Sequence, residues 1–181
     1  TGVFAANDTT LGGACGRGFG TGAGQVALTT ATGGGFAAYG GVLTVTPGAA
    51  TWGTTTGFFS ASTGPLIFGS VNADNVVTWT SDIDLGGTAR VLTANNNIAT
   101  TADYAVISGL VSGSAATLTK NGTGRLDLTG ANTYTGKTLV SAGTLGLTTL
   151  ADLSVASSLG APTTVADGTI ALGATTVAGT L

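Results

Sequence analysis

Residues 124–147 read GRLDLTGANTYTGKTLVSAGTLGL, and the way this stretch repeats itself decides the fold. It opens on Gly-Arg-Leu-Asp-Leu and closes on Gly-Thr-Leu-Gly-Leu, so Gly124 and Gly143 stand 19 positions apart with the same pattern after each. Leu126 and Leu128 in the first copy, and Leu145 and Leu147 in the second, are two apart. That spacing sends each pair to one face of an extended chain, as a half-buried strand requires. The stretch between them is built from Thr, Gly and small residues, and its one charge is Lys137. Nothing in it has the make-up of a catalytic centre. An interval near 20 is what one turn of a parallel β-solenoid consumes when its strands are short and its corners tight.

The pattern returns downstream as GTIAL at Gly168 and GTL at Gly179, at intervals of 25 and 11. The first interval predicts another full turn and the second a part-turn. Upstream, residues 40–52, 64–71, 75–85 and 89–94 each read as a strand bounded by turns. Residues 1–35 are rich in glycine and read as an irregular start or cap. The expected fold is therefore all-β: a parallel β-solenoid of the right-handed β-helix type, made of stacked short strands with Gly-rich turns. It divides into a cap at 1–35, less regular rungs at 36–109, and regular repeats at 110–181 that break off inside a unit. The start at Thr1, without Met or a signal peptide, reads as a piece of a longer secreted polypeptide.

Composition points the same way. Charged residues make up 7% of the 181, against about 25% in an ordinary globular domain. All eight acids are Asp; Glu is absent, and Thr, Gly and Ala take the place of helix formers. Thr suits a pleated surface because its branched Cβ is stiff, and Gly supplies turns. Mean hydropathy is +0.45, but no apolar run reaches the roughly 20 residues of a spanning helix. Aromatic residues at 6% serve poorly the girdles of a membrane barrel. The low charge count predicts that the few charged side chains sit on the outer face.

Residues 110–147 resemble the autotransporter-associated β-strand repeat family. The resemblance rests on Leu118-Thr119-Lys120, Gly122, Gly124, Leu126 and Leu128, then Asn132, Tyr134 and Gly136 within Asn-Thr-Tyr-Thr-Gly, then Thr138, and finally Gly143 and Leu145 within Ala-Gly-Thr-Leu. Residues 157–173 and 34–41 are similar to sequence that accompanies such repeats. Arg125 stands where a small residue is more usual, which alters surface charge and not the fold. The resemblance implies a parallel β-helix in a large exported protein of a Gram-negative-type bacterium, outside the cell or on the outer membrane. It implies no membrane barrel in this chain and brings no catalytic residue with it.

The chemistry that the residues allow is narrow. Without His, and with Cys15 the one cysteine, Ser-His-Asp and Cys-His catalysis and thiolate zinc sites are excluded. Cys15 reads as a small buried apolar residue, with a link to another chain or a reactive thiol as alternatives. Asp82 and Asp84 lie on one face of a strand, about 7 Å apart. They read first as two solvated carboxylates with Ile83 and Leu85 pointing inward; the alternatives are a weak calcium site and the acid pair of a polysaccharide-cleaving β-helix. Asp74 and Asp103 could join them by stacking.

Four Thr-x-Thr elements, at Thr44, Thr78, Thr117 and Thr133, raise the possibility of an ice-binding lattice. Their steps of 34, 39 and 16 argue against one aligned ladder and for ordinary strand filling. Tyr134 reads as a packed strand residue more than as a sugar-stacking platform. Asn132 and residues 95–97 read as turn asparagines in the left-handed region. The sequons at Asn7 and Asn121 are weak signals in a bacterial protein, and the G-x-G spacing at 16–24 lacks the strand–helix context of a nucleotide loop.

Five dispersed basic residues and a net charge of −3 give no footprint for nucleic acid. No cofactor is implied. The expected role is structural or adhesive, without catalysis. The expected partners are further copies of the chain, head to tail or side by side, or cell-surface polysaccharide. A polysaccharide-binding or polysaccharide-cleaving β-helix is the alternative.

Overall fold

The computed structural model describes residues 2–6, 17–60, 62–114 and 117–172. Cys15, Asn7 and Gly179 lie outside them. The described residues form strands and turns with no helix.

The alternation seen in the sequence is real, but each strand is only two to five residues long because a corner interrupts it. The first turn has β1 (Gly2–Ala6). The second has β2 (Gly34–Ala38), β3 (Leu43–Val45) and β4 (Ala50–Thr51). The third has β5 (Leu66–Phe68), β6 (Val77–Trp79) and β7 (Ile83–Asp84). The fourth has β8 (Arg90–Ala94), β9 (Ala105–Ile107) and β10 (Val111–Ser112). The fifth has β11 (Leu118–Asn121) and β12 (Arg125–Leu128), the sixth β13 (Thr138–Val140) and β14 (Thr144–Leu147), and β15 (Ile170–Leu172) follows. The stretches 40–52 and 75–85, expected as single strands, are thus two strands each, joined through residues 46–49 and 80–82.

Strands of the same position in each turn stack, and every pairing between strands is parallel. One wall runs β1-β2-β5-β8-β11-β13-β15, the second β3-β6-β9-β12-β14, and the third β4-β7-β10. The chain is a three-walled parallel β-solenoid. Backbone N–H and C=O groups that a short strand cannot satisfy alone are paired with the turns above and below. The first wall continues without a break from the less regular half into the repeats.

The expected 19-residue period holds within the second wall, where Leu126 lies opposite Leu145 and Leu128 opposite Leu147. The 25-residue step does not. Ile170 lies opposite Thr138, so GTIAL belongs to the first wall and not above GTLGL in the second. Identical local alternation cannot tell one wall of a solenoid from another; only the corner count between them does.

The turns are not of equal size. In the second wall Leu43 lies opposite Val77, 34 residues on, while Leu126 and Leu145 are 19 apart. The wide turns enclose more volume, which aromatic residues fill. Trp79 has Phe19, Phe36, Phe58 and Phe68 around it at ring-centre distances of 5.9 to 6.3 Å. Phe58 and Phe59 sit wholly inside, against Trp52 at 5.2 and 5.0 Å. In the narrow turns Leu118, Leu126 and Leu128 do this work, each burial worth on the order of 2 kcal/mol.

Candidate functional site: the inward polar residues of the repeat

Four residues of the 118–147 segment with polar side-chain groups are buried in the solenoid: Lys120, Asn132, Tyr134 and Thr138. Lys120 follows Leu118 by two positions, so the pleat turns it inward beside Leu118. It lies opposite Leu92 of the turn before and Val140 of the turn after. The side chain is 2% exposed, and its Nζ donates to the carbonyls of Asn121 (3.0 Å), Gly122 (2.8 Å) and Ala142 (2.8 Å). An ammonium has three N–H donors, and here each has one carbonyl. Burial strips its hydration and pulls the pKa down to about 8.

The corner that supplies these carbonyls is tight. Gly122 has φ +78° and Gly143 φ +68°, conformations that favour glycine. A Cβ on Gly143 would stand 2.8 Å from Lys120 Nζ, so the buried cation and the glycine above it are one device. Gly124 continues the stacking: its N–H donates to Ala94 and its carbonyl accepts from Thr144.

Asn132 joins three turns. Its Oδ1 accepts the Val111 N–H at 2.8 Å, and its Nδ2 donates to the Ser158 carbonyl at 2.8 Å. Its own N–H donates to the Ser157 carbonyl at 2.8 Å. The side chain is wholly buried and its φ is not positive, so Asn132 is not the left-handed turn residue expected. Burial explains the difference: an amide inside the solenoid takes main-chain partners from neighbouring turns in place of its own. Of the 95–97 run, Asn95 donates to Gly69 O (3.3 Å) and Asn97 to Ala73 O (2.8 Å), again one turn back.

Tyr134 is fully buried, and its Oη meets Thr138 Oγ1 at 2.7 Å. Burial pushes its pKa up to about 12. The ring packs inside and presents no platform to a sugar. Around it, Thr133 and Thr135 donate to the carbonyls of Val111 and Gly113, and Ala161 to that of Tyr134. These bonds prolong the third wall beyond β10. Gly136 is buried, while Leu145 is half-buried and Leu147 is exposed because less of the solenoid covers them.

The expectation that charges stay on the outer face is overturned by Lys120, Arg90 and Asp103, all buried. Arg90 donates through Nε to Leu85 O (2.9 Å) and through Nη2 to Trp52 O (2.8 Å), with its guanidinium 5.5 Å from the Trp52 ring centre. Burial lowers its pKa. Asp103 accepts the Asn97 N–H. Corners leave carbonyls and amides turned inward, and a buried charge can be satisfied by these without an opposite charge. The signal was present in the sequence, since Arg90 shares the parity of Leu92 and Ala94, as Lys120 shares that of Leu118. On the outside, Arg125 and Asp127 form a bidentate pair at 2.7 Å, and Arg125 lies over the Tyr104 ring at 4.9 Å.

Asp82 and Asp84 flank the buried Ile83, as the alternation requires. Asp82 accepts the Leu110 N–H and Asp84 the Gly86 N–H, each at 2.8 Å. Both border a shallow groove with Thr51, Thr55 and Ser112. Asp74 hydrogen-bonds Gly40 and Asn75, and Asp103 Asn97. No group of three potential metal ligands occurs among the described residues. Thr44 lies opposite Thr78, and Thr46 Oγ1 meets Thr80 Oγ1 at 2.7 Å, so two Thr-x-Thr elements do stack. The next positions in that row are Val106 and Asp127, and Thr119 lies in the first wall, so the row stops after two turns.

Residues 118–147 match the family model of the passenger-associated-transport-repeat. The matched segment is the one whose residues carried the resemblance to autotransporter-associated repeats, and it spans β11 to β14. A passenger repeat indicates a section of an extracellular or cell-surface protein. No curated protein and no solved structure matches the chain.

Proposed function

We propose that the chain is a non-catalytic structural section of a large exported bacterial surface protein: a rod that contacts further copies of itself, or surface polysaccharide, at its ends and faces. The observation that carries this reading is the unbroken first wall, which links the wide turns and the repeats into one stack. The buried polar residues of the repeat make bonds within the solenoid and are not turned toward a substrate.

Self-association, head to tail or side by side, belongs to this reading because parallel sheet edges pair readily with further strands of the same kind.

Electron microscopy and fractionation of cells that make the parent protein test this. Ordered filaments, sheets or cell-attached fibrils carrying the chain are the expected result, with the protein in the extracellular or outer-membrane fraction. Retention inside the cell overturns the reading. Loss of a polysaccharide-degrading activity in Asp82→Asn protein would replace it by an enzymatic one.

A further inference from the structure

The corner between the first and second walls is uneven along the rod. It takes residues 122–124 and 141–143 in the repeat turns, but residues 69–76 and 95–104 in the wide ones, with residues 39–42 in the turn before them. The additional chain is well tied. Asp74 N–H donates to Ala38 O at 3.1 Å, Asp74 Oδ1 accepts from Gly40 N and Asn75 Nδ2, and Asn97 donates to Ala73 O and accepts from Ala99 N. Each loop is thereby fixed to the loop one turn away.

These fixed loops hold apolar side chains out in water. Tyr39 is 59% exposed, Val71 75% and Ile98 96%. Tyr39 and Val71 line an open groove of about 600 Å³ together with Asn72, Asp74, Asn97 and Ala99. Asp74 Oδ2 takes no hydrogen bond among the described residues, while Oδ1 is anchored. A rigid surface loop that exposes an aromatic ring beside a half-free carboxylate has no reason in packing, and loops of this kind are where binding groups are carried.

We propose that this groove binds a neutral polysaccharide, deepening the reading of the chain as a surface protein that meets glycan. A pyranose ring has an apolar C–H face and a rim of hydroxyls. The Tyr39 ring offers a rigid flat apolar surface for the face, and Val71 widens it. Asp74 Oδ2 accepts from hydroxyls as a charged acceptor, and the Asn72 amide can both donate and accept. The lining holds an acid and neither Lys nor Arg, and the chain carries a net charge of −3. Uronate-rich or phosphorylated glycans are therefore disfavoured, and neutral hexose chains fit. The loops come from three successive turns, about 10 Å of wall at the spacing of stacked strands. That suits a chain laid along the rod more than a single sugar.

Titration of the isotope-labelled chain with cellohexaose, maltohexaose and mannohexaose, followed by backbone amide NMR, tests the proposal, with oligogalacturonate as the charged control. The expected result is a saturable shift of the Gly40, Asn72, Asp74 and Asn97 amides with at least one neutral hexasaccharide. Tyr39→Ala, at an exposed position that leaves folding intact, weakens that binding roughly tenfold or more, and Asp74→Asn, which keeps the Oδ1 acceptor, weakens it severalfold. The absence of any saturable shift with all three at roughly 10 mM, binding indifferent to Tyr39→Ala, or tighter binding of oligogalacturonate overturns it. Such a failure leaves the surface-rod reading untouched, because microscopy and fractionation read that reading separately.

Discussion

The wide turns around Trp79 and the narrow turns around Lys120 solve the same problem with opposite materials. Both must fill the space between three walls and satisfy the main-chain groups at the corners. Where a turn takes 34 residues, the enclosed volume needs rings, and even Phe58 and Phe59 from the link after β4 are folded inside. Where it takes 19, leucines fill the centre and the tight corners bring carbonyls within reach of an inward side chain. Interiors are packed to crystal-like density, so the length of the corners dictates the chemistry of the core. The narrow half can then be written as a repeat, because its device of Lys120, Asn132 and Tyr134 needs only short fixed distances. The wide half has no such device to repeat, and its longer loops are free to carry binding groups.

Substitutions can separate the two solutions. Trp79→Ala removes the ring that four phenylalanines surround, and a loss of about 3–5 kcal/mol is expected in urea unfolding. Amide hydrogen exchange should show the loss confined mainly to β2–β7. Equal loss of protection in β11–β14 would show that the halves are one cooperative unit and weaken the contrast. Lys120→Met keeps the length of the stem but leaves three part-buried corner carbonyls without their donor. A loss of about 3 kcal/mol is expected, centred on β11–β14, and unchanged stability would mean that water replaces the ammonium.

A pH series sharpens the same point. Between about pH 8 and the ordinary lysine pKa of 10.5, the unfolded chain keeps the Lys120 proton while the folded chain has lost it. The unfolded state then binds more protons, so stability rises with pH, by roughly 2 kcal/mol up to pH 10. Tyr134 acts in the other direction. Its folded pKa of about 12 lies above the unfolded 10.0, so its contribution is complete below pH 10 and is lost as pH climbs toward 12. A maximum near pH 10 is expected, with the rising limb absent in Lys120→Met and the falling limb absent in Tyr134→Phe. The smallest effect should be Tyr134→Phe at neutral pH, about 1 kcal/mol for the bond to Thr138. A larger loss there would show that the buried Thr138 hydroxyl depends on Tyr134, its side-chain partner among the described residues.

Much of this was legible in the chain, for a physical reason. Period-two alternation, scarce charge and abundant Thr and Gly suffice for an all-β stack, and Gly124 and Gly143 gave the turn length where the turns are uniform. Misread features share one origin. The 25-residue interval predicts another full turn after GTLGL, yet GTIAL pairs with Thr138–Val140 in the first wall, because alternation is the same on every wall. Composition points Asn132 to a turn and the charges to the outer face, because it describes what a side chain prefers in water and not what a neighbouring turn offers it. The groove at Tyr39 and Asp74 joins residues 35 positions apart, and no local pattern announces a contact between loops of different turns.

The sequence by itself determined the all-β class, the period-two alternation and the passenger repeat, since these depend on composition and on neighbours close along the chain. Only the tertiary structure decided the width of each turn, the wall to which each strand belongs and the partners of Lys120, Arg90 and Asn132. Those depend on corners whose length adds up along the chain, and a main-chain carbonyl becomes a partner for a buried cation only once the next turn has been laid over it.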